Sequence, residues 1–141
     1  MARIPVVAVL NSNDDVLEML RILLEGAGFV VVSAHIDKIR RGEQSFVDFI
    51  NEHSPQVLIY DLVPPYDRSW RFLEHLRGTP LMQHRKFIVT STNAARAREI
   101  IGDDKQVFEI VGKPYDIDLI VEAVRRATGG GQDLPEGARR V

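Results

Sequence analysis

The sequence predicts an α/β fold, a five-stranded parallel sheet with helices on both faces. Three observations predict it. Five short apolar runs rich in β-branched residues are spread along the chain. In the strongest of them the apolar character is continuous and does not alternate, which suits strands buried on both faces. Between the runs lie segments of helical period, so strand and helix alternate five times, the order of a doubly wound (βα)5 sheet.

The elements follow in order. Val6–Leu10 is the first strand. Val16–Glu25 (VLEMLRILLE) is the first helix: Asp14, Glu18, Arg21 and Glu25 fall on one narrow face, Leu17, Leu20 and Leu24 lie opposite, and Gly26 and Gly28 end it. Phe29–Val32 is a shorter second strand. Gln44–His53 is the second helix, closed by Pro55, and Val57–Ile59 is the third strand. In the third helix, Ser69–Arg77, the aromatic pair Trp70 and Phe72 reads as helix packing and not as a cofactor box. Phe87–Val89, helix Ala94–Ile101, Val107–Val111 and helix Asp116–Ala127 complete the pattern. The folded domain is expected over residues 1–128. Residues 129–141 (GGGQDLPEGARRV) carry glycine, proline and charge without periodicity and read as a disordered tail.

Composition narrows the function classes. The 141 residues are 45% hydrophobic and 27% charged, the balance of a globular chain of one domain. A formal net charge of −2 offers no basic excess for a phosphate backbone, so nucleic-acid binding is not expected. There is no cysteine, hence no disulfide and no thiolate zinc site, which fits the cytoplasm. The opening MARIPVVAVL is too short an apolar run for a membrane segment or a signal sequence. The histidines at 35, 53, 75 and 84 show no metal-ligand spacing. A dinucleotide fold or a P-loop needs glycines after the first strand, and NSND has none. LNSND is also a poor flavin phosphate loop, and Asp61-Leu62-Val63 lacks the D-x-D pair of dehalogenase-type phosphatases.

Ligand chemistry on parallel sheets gathers outside the carboxyl ends of the strands. The residues to read are therefore Asn11–Asn13, His35, Asp61–Pro65, Ser91–Asn93 and Lys113–Pro114. Ser12-Asn13-Asp14-Asp15 fits a capping box, with the Ser12 hydroxyl accepting from the amide three residues on and both aspartates near the positive end of the helix dipole. The other reading open for Asp14 and Asp15 is that one of them reaches a metal. At two other strand ends stand opposite charges, Asp61 and Lys113, with hydroxyls at Thr90, Ser91 and Thr92 between them. A carboxylate nucleophile, a cation and a hydroxyl donor in one cleft suit a phosphoryl group.

On these motifs the chain resembles the receiver domain of two-component response regulators, from about Val6 to Ala127. "PQVLIYDLVPPYD" is similar to that family's phosphoacceptor strand, with Asp61 as the aspartate and Pro65 as the proline four residues on. "FIVTST" is similar to its fourth strand, with Ser91 as the hydroxyl residue and small Thr92 following. "VGKPYD" is similar to its fifth-strand motif, with Lys113 as the lysine, and "MLRILLEGAGF" to its first helix and turn. The resemblance implies strand order 2-1-3-4-5, a cis Lys113–Pro114 bond, and a phosphorelay signalling role, with no enzymatic activity. Asp61 would then be phosphorylated by a histidine kinase or phosphotransfer protein and read by a downstream protein partner.

The chain departs from the family in three places. The acidic pair that usually ends strand one and holds magnesium is Asn11 and Ser12, the strand-five aromatic is Ile110, and Asp67 is followed by Arg68, not glycine. Magnesium prefers hard oxygen ligands, one or two of them carboxylates. The site implied by the resemblance, Asp61, the Val63 backbone, Asn11 and Ser12, is thus a degraded one that holds Mg2+ weakly. Two functions follow: a single-domain receiver phosphorylated at Asp61, or a phosphorylation-independent interaction module on the same fold. The resemblance also implies association through Ala94–Ile101 and Val107–Ala127, where Arg96, Arg98, Asp103, Asp104, Asp118, Glu122, Arg125 and Arg126 supply charge. Surface pairs are worth about 0–1 kcal/mol each, so at most a weak homodimer is expected.

Overall fold

A computed structural model describes residues 4–103, 107–112 and 117–129. It contains β1 (Val6–Asn11), α1 (Asp14–Gly26), β2 (Val30–His35), α2 (Ile36–Arg40), α3 (Phe46–His53), β3 (Val57–Asp61), α4 (Tyr66–Arg77), a 3-10 turn (Pro80–Met82), β4 (Lys86–Ser91), α5 (Ala94–Ile101), β5 (Val107–Gly112) and α6 (Ile117–Ala127). The five strands form one sheet in the order 2-1-3-4-5, every pairing parallel. The expected architecture and strand order both hold. The expected tail lies, from residue 130 on, outside the described residues, as does the Lys113–Pro114 bond.

The sheet alternates its side chains between two cores. Val7, Val9, Val57, Ile59 and Ile88 face α1 and α6, which pack down Leu20, Leu24, Ile120, Ala123 and Val124. Ala8, Leu10, Leu58, Tyr60 and Val89 face α3, α4 and α5, which supply Phe49, Ile50, Leu73, Leu76 and Ala97. Fully burying a side chain such as Leu58 is worth about 1.5–3 kcal/mol. That two-sided burial is why β1, β3 and β4 read as unbroken apolar runs. β2 is an edge strand, and Val30 and Ser33 are exposed. This dilutes its pattern and explains why it runs three residues beyond the expected end at Val32. The pairing of β5 with β4 shifts register between Phe87 and Ile88. Across that irregularity Val107 and Ile110 pack on one core while Phe108 and Val111 pack on the other.

Three helix boundaries differ from the sequence expectation. α1 is capped by Asn13, whose side chain accepts from the amides of Asp15 and Val16, and not by Ser12. Asn is as good a cap as Ser, and its longer side chain reaches from one residue nearer the helix. The expected solvent face of α1 does form: Arg21 pairs with both Glu18 and Glu25. Gly28 ends the helix at φ 100°, a conformation that suits glycine, with the Phe29 amide donating to Leu24. The expected helix Gln44–His53 begins later, behind a Ser45 cap, and closes with Ser54 in the left-handed region just before Pro55. A separate short helix, α2, follows β2 directly, and α4 starts three residues before the expected Ser69.

Candidate functional site

Parallel pairing brings the carboxyl ends of all five strands to one edge. β1 ends in Asn11, β2 in His35, β3 in Asp61, β4 in Ser91 and β5 in Gly112. Asp61 is 6% exposed and sits opposite Thr90 in the β3–β4 register. The Thr90 hydroxyl donates to an Asp61 carboxylate oxygen at 2.8 Å, and the Leu62 amide donates to the Thr90 carbonyl at the same distance. A carboxylate this deep needs donors, and the neighbouring strand supplies one.

The loops around Asp61 are tied down. The Tyr60 hydroxyl donates to the Ser69 carbonyl at 2.9 Å, and the Val63 amide donates to the Ser69 hydroxyl at 3.3 Å, which fastens the β3–α4 loop onto the start of α4. Across the edge the hydroxyls of Tyr66 and Thr92 share a hydrogen bond of 3.0 Å, joining the start of α4 to the loop after β4. The peptide bond between Pro64 and Pro65 is cis.

Of the expected site residues, Asp61, Val63 and Ser12 line one cavity of ≈ 240 Å³, shared with Ile36, Asp37, Arg40, Tyr60 and Ser69. Asn11 is buried and its side-chain oxygen accepts from the Asn13 amide at 2.9 Å. Ser91 is buried too, and its hydroxyl oxygen accepts from the Asn93 amide at 3.1 Å, in the turn that lets Asn93 cap α5. The hydroxyl that reaches Asp61 is therefore that of Thr90, one residue earlier. Lys113 lies outside the described residues. Asp14 and Asp15 stand in the first turn of α1, exposed, and an Asp14 carboxylate oxygen lies 3.9 Å from His35 Nε2.

Sequence reasoning missed Asp37 and Arg40. Both come from α2, whose five residues are too few to show a helical period. The signal available was position: they follow the true end of β2. The Arg40 guanidinium lies 3.3 Å from the Asp37 carboxylate and 4.9 Å from the centre of the Phe72 ring. Burial pushes the Tyr60 phenol up from its ordinary pKa. Its Ser69 hydrogen bond and the positive charge of Arg40 pull the other way, and the Asp61 charge adds to the rise. One tyrosine hydroxyl thus feels both Arg40 and Asp61.

The donor set is a poor one for a divalent metal. Among the described residues no group of three or more Asp, Glu or His side chains converges on one point. The Asn11 oxygen is already an acceptor for a backbone amide, and Ser12 brings a neutral hydroxyl. Of the two carboxylates among the described lining residues, Asp37 is ion-paired with Arg40, whose own charge opposes a second cation.

No family model and no curated protein sequence matches the chain. Solved structures do. A sensor protein from Polaromonas sp. JS666 superposes with a TM-score of 0.72 at 20% identity, over 89% of this chain and 97% of that one. A response regulator from Thermotoga maritima gives 0.68 at 21% identity, over 89% and 98%. The Vibrio cholerae chemotaxis protein CheY4 gives 0.66 at 16% identity, over 89% and 99%. The fold is that of response-regulator receiver domains. No helix among the described residues is long and apolar enough to cross a membrane.

Proposed function

We propose that the chain is a receiver module of phosphorelay signalling whose phosphoacceptor is Asp61. The observation that carries this reading is a carboxylate at the carboxyl end of the central strand, buried, with the Thr90 hydroxyl held against it and a cavity open beside it. In the transfer an Asp61 oxygen attacks phosphorus, the bond from phosphorus to the donor's leaving group breaks, and the leaving group departs with the electron pair. The Thr90 hydroxyl is placed to donate to the developing acyl phosphate. Ser91, the next residue, keeps the following turn in position, and Lys113 supplies positive charge as the resemblance implies. The phosphoryl donor is a histidine kinase or phosphotransfer protein. The readout is contact with a downstream protein, in keeping with a cytoplasmic signalling module that is not an enzyme, and at most a weak homodimer forms through α5, β5 and α6. On that face Arg96 already pairs with Glu99 at 3.2 Å and Arg126 with Glu109 at 2.6 Å within the chain, which leaves less charge for a second copy. Mg2+ assistance through Asp61, the Val63 backbone, Asn11 and Ser12 is weak in this reading.

A second reading, a module that signals without phosphorylation, is favoured by Asn11, whose side chain is committed to the Asn13 amide where a metal ligand is expected. Incubation with acetyl phosphate followed by intact-mass measurement separates the two. The first reading predicts the addition of one phosphoryl group, absent in Asp61→Asn. An unmodified wild-type mass supports the second.

A further inference from the structure

We propose that Arg40 supplies, from within the chain, the counter-charge that a divalent ion would bring to the Asp61 cavity, so that phosphoryl chemistry at Asp61 proceeds without a metal. The inference rests on Asp61 being the phosphoacceptor and names the residue that neutralises its product. Three observations carry it. Arg40 and Asp61 line the same cavity, with Ser12 in the lining where an acidic residue would favour a metal. Both charges act on the hydroxyl of Tyr60, which lines the same cavity. The other carboxylate among the described lining residues, Asp37, already has a cation beside it, the Arg40 guanidinium at 3.3 Å.

The chemistry matches the side chain. An Asp61 oxygen attacks the phosphorus of acetyl phosphate, the bridging P–O bond breaks, and acetate leaves with the bonding pair. Charge is conserved, and no proton or other co-reactant is needed. The product is a dianionic acyl phosphate beside the cavity. A guanidinium presents parallel N–H donors matched to two phosphoryl oxygens, and it does not deprotonate. Arg40 is half-exposed, and so is its Asp37 partner, so that pair holds it weakly and it can turn to the phosphoryl group. Phe72, stacked under the guanidinium, limits the side chain's wandering.

The experiment has two arms on wild type, Arg40→Ala and Arg40→Lys, with thermal melts confirming that each variant folds. The first arm follows acetyl-phosphate labelling of the protein by mass, in EDTA and in Mg2+. Wild type is expected to label in EDTA, Arg40→Ala about tenfold more slowly, and Arg40→Lys in between. The second arm titrates Mg2+ by calorimetry and needs no phosphorylation. Removing the resident cation in Arg40→Ala is expected to tighten Mg2+ by about tenfold, while Arg40→Lys leaves it unchanged. Labelling of wild type only when Mg2+ is present would overturn the inference and leave Asp61 as phosphoacceptor. Absence of labelling under every condition would overturn the Asp61 reading instead. The titration then decides alone, with tighter Mg2+ binding in Arg40→Ala upholding the charge replacement and unchanged binding overturning it.

Discussion

β1 and β3 lie side by side and end at the same edge, yet their last residues do different work. β1 ends in Asn11, whose oxygen holds the Asn13 amide, and Asn13 in turn caps α1. β3 ends in Asp61, a charge held by the Thr90 hydroxyl and facing a cavity. The first end is a chain of neutral side-chain to backbone hydrogen bonds that fixes where a helix begins. The second keeps a carboxylate buried beside a cavity. The same edge thus carries a neutral, hydrogen-bonded end at one strand and a buried carboxylate beside a cavity at its neighbour. The β1 end supplies no carboxylate, and α2 brings a guanidinium to the cavity beside Asp61.

The contrast can be broken most severely at β3. Thr90→Val keeps the shape and removes the hydroxyl donor from a buried carboxylate, and it is expected to cost about 1–3 kcal/mol in urea unfolding and to slow labelling of Asp61. Ser91→Ala loses only an acceptor for a loop amide and should cost about 0.5–1.5 kcal/mol, with a smaller effect on labelling. Equal effects on labelling would mean that the register does not single out Thr90.

At β1 the contrast can be sharpened by restoring acid. Asn11→Asp with Ser12→Asp retains an oxygen for the Asn13 amide and adds two negative charges. Mg2+ affinity should rise at least about tenfold by calorimetry, since each close charge attraction is worth about 1 kcal/mol even at water-like screening. No gain would mean that the β1 end is not a degraded metal site, and Asp14 and Asp15 would become the ligands to test. The smallest expected difference concerns the cap. Asn13→Ala should destabilise the protein by about 1 kcal/mol. Ser12→Ala should stay within about 0.5 kcal/mol, and the reverse order would restore Ser12 as the cap.

How much of this was legible beforehand depended on whether the signal was burial or register. Strands buried on both faces announced themselves, and with five of them alternating with helices the architecture followed. Asp61 was legible for the same reason, since a lone charge directly after VLIY marks a strand end. The choice between Thr90 and Ser91 was not legible, because successive strand residues point to opposite faces and only the pairing of Asp61 with Thr90 decides which hydroxyl faces the carboxylate. Ser12 and Asn13 posed the same problem: both are good caps, and the helix start differs by one residue. Asp37 and Arg40 were hidden by an edge strand whose exposed positions obscured its end, followed by a helix of five residues. Local pattern carries burial well, but it does not carry the one-residue offsets on which a site depends.

The central claim, that Asp61 accepts a phosphoryl group, is tested most directly by trapping the acyl phosphate. After incubation with acetyl phosphate, borohydride reduces an aspartyl phosphate to homoserine, and peptide mass spectrometry locates the change. Homoserine is expected at position 61, in the peptide that carries VLIYD, and nowhere else. Homoserine at Asp14, Asp15 or Asp37, or none at any position while the protein remains folded, would contradict it.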